Sequence, residues 1–130
     1  MDIALTDTAH RLLDTTTFAT VATLNPDGGP QTSVVWVKRD GDDVLFSTTK
    51  QRRKGRNLAR DPRISLTLVD PGDPYTHLEI RGRAELTDDP DNALGNELSH
   101  KYLGVDAPQD PEWVQRIQVR VIAERVVGEG

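Results

Sequence analysis

Positive charge is concentrated in one short segment, directly behind three consecutive hydroxyl side chains. Residues 47–49 read Ser-Thr-Thr, and five of the seven residues in 50–56 are basic. Hydroxyls, backbone N–H groups near a helix start and flexible cations together suit a phosphate or another anion. The segment therefore indicates anion binding, although a solvated helix face in an acidic chain would have the same composition. The basic residues are Lys50, Arg52, Arg53, Lys54 and Arg56.

The remainder of the chain is acidic. The formal net charge of the 130 residues is −5, and without these five positive charges it would be −10. Domains that bind nucleic acid usually carry a broad basic face and aromatic side chains for stacking. Aromatic residues make up only 5% of this chain. We therefore expect no nucleic-acid partner.

The sequence contains none of the common motifs of hydrolytic, zinc or P-loop chemistry. Cysteine is absent, which excludes disulfides and cysteine-based metal sites. The three histidines, His10, His77 and His100, are scattered along the chain, so we expect them at the surface or at helix ends and expect no bound metal. If the protein is an enzyme, a cofactor is expected to carry the reaction.

The chain shows no feature of a membrane or exported protein. Its first residues lack a basic segment followed by an apolar run, and no stretch approaches the roughly 18 apolar residues of a membrane span. We expect a cytoplasmic protein without a membrane partner. Its length predicts a single domain over residues 1–130, too small to build a deep pocket alone.

Alternating apolar residues and Pro, Asp and Gly turns predict a mainly β protein with peripheral helices. A helix is expected over residues 89–104, with Asp89 as its N-cap, Pro90 at its first position and Gly104 at its end. Six antiparallel strands and three helices are predicted in all, and closure of the strands into a small barrel would remove the exposed edges. The strands cover residues 18–24, 31–39, 44–48, 63–70, 77–86 and 114–127, and the other helices cover residues 2–14 and 52–60.

Three segments together resemble the pyridoxamine 5'-phosphate oxidase-like split β-barrel family, and within it the small actinobacterial branch that depends on coenzyme F420, a deazaflavin. They are "ATVATLNPDGGPQTSVVW" at residues 19–36, "ST" with "RRKGRNLARDPRISL" at residues 47–66, and "IRGRAEL" at residues 80–86. The resemblance covers roughly residues 17–87. It implies a six-stranded antiparallel split β-barrel of the flavin mononucleotide (FMN)-binding type, assembled as a homodimer with cofactor sites at the interface.

The resemblance also implies roles for individual residues. The strand of Gln31, Thr32 and Ser33, with Val35 and Trp36 further along, would run beside the ring of the cofactor. Trp36 could equally be core or interface, Gln31 a turn partner and Asn57 a helix-surface residue. The phosphate would be surrounded by Ser47, Thr48, Thr49, Arg53, Lys54 and Asn57, the acidic tail of the coenzyme would reach Lys50 and Arg56, and Tyr75, Tyr102 and Trp113 would wall the substrate pocket or pack in the core.

The activity that the resemblance implies is reduction of a conjugated, electron-poor small molecule by reduced coenzyme F420. Enones, lactones, quinones and tetrapyrrole-like compounds belong to this class. The sequence offers no dedicated acid, so the catalytic residue is unknown. Two alternatives stay open: an FMN-dependent oxidase or reductase on the same fold, and a non-catalytic flavin- or haem-binding protein. Oxidation of vitamin B6 is not expected, because the strand around residues 35–38 lacks the arginine typical of that phosphate site.

Overall fold

The computed structural model describes residues 2–129, in which three short helices surround one antiparallel sheet of seven strands. The strands lie in the order β2-β1-β5-β6-β7-β4-β3. This architecture confirms the expected mainly β fold class. The strands are β1 Phe18–Leu24, β2 Pro30–Trp36, β3 Lys38–Asp40, β4 Asp43–Thr49, β5 Arg63–Asp70, β6 Asp73–Asp88 and β7 Arg116–Glu129, and the helices are α1 Asp7–Asp14, α2 Arg53–Arg60 and α3 Ala93–Leu103.

A seventh strand arises because the strand predicted over residues 31–39 is interrupted at Val37. β2 before the break pairs with β1, and β3 after it pairs with β4, at the opposite edge of the sheet. Because one residue separates the two strands, the two edges must approach each other and the sheet must curl. The split barrel expected from the family resemblance follows from this crossing.

The barrel interior is filled by the inward-facing residues of the strands. Phe46, Leu66, Ile80 and Val119 are all fully buried there. α1 packs its buried residues Leu12 and Leu13 into the same core. A second, smaller apolar cluster lies between α3 and the sheet. In it Leu94 and Leu98 of α3 pack on Leu45 of β4, with Trp36 and Tyr102 beside them. α3 therefore covers the seam between the two edges.

α1 begins later than the helix predicted over residues 2–14. Thr6 is its N-cap, and its hydroxyl accepts a hydrogen bond from the Ala9 amide at 3.1 Å. The residues before it are extended, and the Ile3 amide donates to the Ala123 carbonyl at 3.0 Å. The apolar spacing that suggested an earlier start comes from Ile3 and Leu5, which pack on the core without being helical.

The start of α3 also differs from the prediction. The helix begins at Ala93, and Asn92 precedes it with a left-handed backbone at φ 52°. Pro90 lies outside the helix, yet the Asp89 carboxylate still caps it, because its two oxygens accept from the Ala93 and Leu94 amides at 3.0 Å each. The predicted N-cap was therefore wrong, since the N-cap residue is Asn92, although the Asp89 side chain does bind the first amides of the helix. The helix ends at Gly104, as expected, with φ 74°.

No helix within residues 2–129 is both long enough and apolar enough to cross a membrane.

α2 approaches the end of β4 so closely that only glycine fits at position 55. A Cβ atom built on Gly55 would lie 2.0 Å from the Thr49 carbonyl oxygen, which belongs to the backbone and cannot swing away. This contact fixes the helix start that follows the three hydroxyl residues. The glycine in the basic segment is therefore a packing requirement.

We expect Gly55→Ala to lower the free energy of unfolding by about 1–3 kcal/mol, since the added methyl group must push α2 away from β4. On helix propensity alone, the same change would raise the free energy of unfolding by about 1 kcal/mol. A decrease would therefore indicate the steric contact with β4. Urea denaturation followed by circular dichroism measures the difference. Gly72→Ala is the control, because its Cβ would lie 3.4 Å from the nearest atom, a side-chain oxygen of Asp70. A stabilised Gly55→Ala protein would contradict the close approach.

Candidate functional site

A cavity of about 510 Å³ lies where the two sheet edges meet α2 and α3. The cavity is lined by residues of four strands, β1, β2, β4 and β7, and by residues of α2 and α3. The loop of residues 104–115, which joins α3 to β7, also contributes. Of the residues predicted to form the site, Trp36, Ser47 and Lys54 line this cavity. It therefore brings together a residue of the predicted segment 19–36 and two of the segment 47–66, and none of the segment 80–86.

One wall of the cavity is cationic and is formed by the start of α2. Arg52 is the N-cap residue, and its backbone N–H donates to the Thr49 hydroxyl at 3.1 Å. Lys54 follows in the first turn and is only 9% exposed. Neither side chain forms an ion pair with any residue that the structure describes. Two positive side chains without a described ion-pair partner beside a helix start favour an anion at this position. The charge of Arg52 is balanced in part by Asp110, whose pKa it helps to lower.

The ammonium group of Lys54 is held in an environment that disfavours its charge. Burial lowers the pKa of Lys54, and the neighbouring Arg52 guanidinium lowers it further. A buried charge without a partner is destabilising unless something pairs with it. An anion in the cavity would supply that partner.

Two polar side-chain atoms of the cavity are buried without a hydrogen-bond partner among the described residues. They are the Ser47 hydroxyl oxygen and the Asn92 side-chain oxygen. Ser47 lies on the same face of β4 as Leu45, towards α3, whereas Thr48 faces the barrel interior with Phe46. Most buried polar groups in folded proteins are hydrogen-bonded, so an unpaired hydroxyl next to Lys54 is available to a ligand.

Another part of the cavity lining is apolar. Phe18, Val34 and Trp36 present their side chains there, and Phe18 and Val34 are 61% and 63% exposed. The Tyr102 ring stacks on Trp36, with 5.2 Å between ring centroids and 13° between the planes. Leu103 at the end of α3 extends this surface. The wall suits a planar, apolar ring system.

The cavity contains cationic residues that sequence reasoning did not assign. Arg52 was part of the basic segment but was not selected, because its neighbours gave no sign of which side chains face inward. Arg116, at the start of β7, also lines the cavity and makes a bidentate pair with Asp110 at 2.7 and 2.9 Å. No local pattern marks Arg116, since its position depends on strand pairing 67 residues away, with Thr49.

The basic side chains of residues 50–56 lie in different parts of the molecule. Lys50 pairs with Asp88 at 3.1 Å, and Arg53 lies beside the β1–β2 turn at Asn25. Arg56 is exposed on the outer side of α2. Only Arg52 and Lys54 face the cavity, so the segment is not a uniform patch.

Asn57 has a supporting position. It is fully buried, and its side-chain N–H groups donate to the Thr23 hydroxyl at 3.0 Å and the Asn25 side-chain oxygen at 3.1 Å. These bonds attach α2 to the end of β1. Asn57 therefore fixes the helix that carries Lys54 and has no exposed atom for a ligand, which differs from the helix-surface alternative.

The remaining predicted residues lie outside the cavity. Gln31, Thr32 and Ser33 continue along β2 beyond Val34, and the Ser33 hydroxyl is buried without a partner among the described residues. Thr48 and Thr49 are buried. Tyr75 is 87% exposed on β6 and Trp113 is 68% exposed in the α3–β7 loop, so neither packs in the core. Tyr102 lies behind Trp36, and its hydroxyl bonds to backbone groups.

No group of three or more histidine, aspartate and glutamate side chains in the described part of the chain could hold a metal ion.

Replacement of the buried Lys54 and the partly buried Lys101 by methionine should have opposite effects. The Lys101 ammonium donates to the Leu13 and Val37 carbonyls at 2.6 Å each, whereas Lys54 has no such bond to the described residues. We expect Lys101→Met to lower the free energy of unfolding by about 2–4 kcal/mol through two lost charged hydrogen bonds. Lys54→Met should raise the melting temperature by about 2–4 °C at neutral pH, because it removes an unpaired buried charge.

The gain from Lys54→Met also has a defined pH dependence. Because the folded-state pKa of Lys54 is lowered, the native state releases its proton at a lower pH than the unfolded chain. The stability of the unmodified protein therefore rises with pH between those two values, and the gain from the substitution shrinks there. Calorimetry from pH 7 to alkaline pH measures this. A gain that is independent of pH would contradict the charged, unpaired state of Lys54.

Comparison with known proteins identifies the family. The family model described as pyridoxamine 5'-phosphate oxidase matches residues 5–127. Among solved structures, an F420 reductase is 30% identical, with 91% of this chain and 94% of that chain covered and a TM-score of 0.84. The protein Rv2991 of Mycobacterium tuberculosis is 25% identical, with 96% of this chain and 84% of that chain covered and a TM-score of 0.74.

A more distant structure shows the fold alone. General Stress Protein 26 of Bacillus anthracis is 15% identical, with 92% of this chain and 89% of that chain covered and a TM-score of 0.69. The family model covers nearly the whole chain, and the fold agrees with it. The chain belongs to the pyridoxamine 5'-phosphate oxidase-like split β-barrel family, whose fold is that of flavin- and deazaflavin-type oxidoreductases.

Proposed function

We propose that this protein is a reductase that uses coenzyme F420 and acts on a conjugated, electron-poor small molecule. One observation carries the proposal: the cavity joins an unpaired, buried Lys54 and the neighbouring Arg52 to an apolar wall around Trp36. A ligand with a phosphate at one end and a planar ring at the other matches both walls. The likeness to an F420 reductase supports the choice of a deazaflavin.

The residues present fit such a coenzyme. Lys54, Arg52 and the unpaired Ser47 hydroxyl are the groups that would hold its phosphate, beside the N-terminal end of α2. The apolar face of β2, with Val34 and Trp36, would hold the ring. When bound, a reduced deazaflavin supplies a hydride. The protein's contribution is therefore binding, orientation and control of water.

The chain orients the reaction from two sides. Lys54 and Arg52 anchor the charged end, so the ring position is set by its distance from them. Trp36, backed by the stacked Tyr102, gives the ring a rigid surface. Phe18 and Val34 are exposed on the open side of the cavity, and the acceptor enters there. A water molecule held in the cavity would supply the proton that completes reduction of the double bond.

The division of the basic segment refines the role of each cation. Arg52 and Lys54 hold the phosphate, and Arg53 and Arg56, on the outer side of α2, are placed for an acidic tail that leaves the cavity. Lys50 contributes less than the sequence suggested because Asp88 pairs with it. Asn57, Thr48 and Thr49 act through the position of α2 and β4. Gln31, Thr32 and Ser33 extend the ring-binding face along the edge strand β2.

Loss of the cavity lysine should weaken coenzyme binding far more than loss of a lysine elsewhere. We expect Lys54→Ala to raise the Kd for coenzyme F420 by about tenfold or more, as for a lost hydrogen bond to a charged group. Lys38→Ala is the matched control, since Lys38 pairs with Glu97 and lies outside the cavity. Titration of ligand fluorescence measures both. Equal effects of the two substitutions would exclude the phosphate assignment.

FMN is the second candidate ligand, because the matching family is that of pyridoxamine 5'-phosphate oxidase and the same cations suit its phosphate. Titration of the purified protein with both coenzymes separates the two. Tighter binding of coenzyme F420, weakened by added salt or by removal of its glutamate tail, supports the deazaflavin. Tighter binding of FMN moves the protein to the flavin branch, and binding without turnover favours a carrier.

We further propose that a second copy of the chain covers the open side of the cavity. Phe18, Val34 and Leu103 are each more than 60% exposed there, and such a continuous apolar face usually marks an interaction site. Identical chains commonly associate about a two-fold axis. A homodimer would enclose the site and supply the wall that one chain lacks, and Tyr75 or Trp113 of the partner could contribute to it.

A charge on this face should therefore dissociate the dimer. We expect Val34→Glu to be monomeric in sedimentation velocity at micromolar concentration and to bind coenzyme weakly. Val69→Glu is the control, because Val69 is also an exposed strand valine, 42% accessible, but lies outside the cavity. A monomeric unmodified protein, or a Val34→Glu protein that is still dimeric, would refute this interface.

A further inference from the structure

The α3–β7 loop, residues 104–115, supplies part of the lining of the cavity. Ala107 and Pro108 of this loop line the same cavity as Arg52 and Lys54. The loop has no regular secondary structure. Its position must therefore come from side-chain contacts with the elements on either side of it.

The first half of the loop is attached to α3. The Ser99 hydroxyl donates to the Val105 carbonyl at 2.7 Å, and the Asn96 side-chain oxygen accepts from the Ala107 amide at 2.9 Å. These bonds place the first half of the loop relative to the helix. In the middle of the loop the Asp110 carboxylate accepts from Arg116, which also lines the cavity, at 2.7 and 2.9 Å. The residues after Asp110 are held by a different contact.

Gln51 attaches the second half of the loop to the cationic wall. Its side-chain nitrogen donates to the Trp113 carbonyl at 3.1 Å and to the side-chain oxygen of Gln115 at 3.0 Å. Its side-chain oxygen accepts from the Gln115 amide at 3.2 Å. The neighbouring Lys50 amide donates to the Gln115 carbonyl at 2.9 Å. One side-chain amide thus joins the loop at two residues.

The position of Gln51 in the sequence shows which two parts of the site its side chain joins. It lies between Lys50 and Arg52, in the connection that leads from β4 into α2, yet it does not line the cavity. Its side chain is exposed and points to the loop. Gln51 therefore connects the two walls of the site from outside and does not contact a ligand between them.

We propose that Gln51 is a positioning residue that sets the spacing between the α3–β7 loop and the cationic wall, and thereby the affinity of the site for the electron acceptor. This inference rests on the proposed function for the identity of the acceptor. The spacing itself is a property of the free protein and can be measured without coenzyme. Loss of the Gln51 contacts widens the acceptor pocket and leaves the phosphate site in place.

The test compares Gln51→Ala, Gln51→Glu and Gln109→Ala with the unmodified full-length protein. Gln109 is exposed in the same loop, lies outside the cavity, and its side chain bonds to none of the described residues, so it is the matched control. Glutamate at position 51 retains an oxygen for the Gln115 amide and loses the donor to the Trp113 carbonyl. It should give an intermediate result.

The first readouts use the coenzyme-free protein. In Gln51→Ala we expect amide hydrogen exchange across residues 104–115 to accelerate about tenfold, with α2 unchanged, as the loop opens locally. We also expect about fivefold weaker binding of anilinonaphthalene sulfonate, an anionic dye with apolar rings, as for one or two lost neutral hydrogen bonds. Loss of dye binding in Lys54→Ala assigns the dye to the cavity.

The last readout uses the loaded enzyme with menadione, a quinone, as acceptor. Gln51→Ala should raise KM for menadione about fivefold, with kcat and the Kd of the coenzyme within about twofold of the unmodified protein. Faster loop exchange with dye affinity and KM equal to those of Gln109→Ala would show a structural role only and overturn the inference. Unchanged exchange would overturn it as well. If the unmodified protein reduces no acceptor, the proposed function fails, and dye affinity alone decides the role of Gln51.

Discussion

The crossing of the chain at Val37 is the constraint on which the rest of the structure depends. One residue joins β2 and β3 at opposite edges of the sheet, so its backbone groups cannot be paired within either edge. α3 supplies the partners: the Tyr102 hydroxyl accepts from the Val37 amide at 3.1 Å, and the Lys101 ammonium donates to its carbonyl at 2.6 Å. The same hydroxyl donates to the Thr17 carbonyl at 2.5 Å, which anchors the start of β1. α3 therefore closes the barrel, and the cavity forms beside this seam.

The distribution of satisfied and unsatisfied polar groups separates structure from site. The Lys101 side chain donates to the Leu13 carbonyl and so joins α3 to α1, and the Asn57 side chain donates to the Thr23 hydroxyl and so joins α2 to β1. Lys54 and the Ser47 hydroxyl both line the cavity without partners among the described residues. Unsatisfied buried groups reduce stability, so their presence in one cavity favours a ligand there, while the Ser33 and Thr48 hydroxyls, also unpaired in the described part of the chain, lie outside it.

The sequence predicted those features that depend on local pattern. Strand alternation, the turn residues and Gly104 at the end of α3 could all be recognised, because each depends on neighbouring residues. The break at Val37 could not, since the groups that satisfy it lie 64 and 65 residues further along the chain. Anion binding by the basic segment stays a prediction, and the division of the segment could not be foreseen, because Lys50 pairs with an aspartate that only strand pairing brings near. Arg116 was missed for the same reason.

The desolvated lysine explains how a small, open site could bind a large coenzyme by one end. The pKa of Lys54 is lowered because burial and Arg52 both disfavour its charge, so the free protein carries an unfavourable interaction that a bound anion removes. Relief of that interaction adds to the direct attraction, and it also stabilises the fold when the ligand is bound. Trp36 and Val34 would add apolar contact and shape for the ring. In the proposed function the phosphate end would therefore serve as the anchor, and the apolar side chains would set the position of the ring.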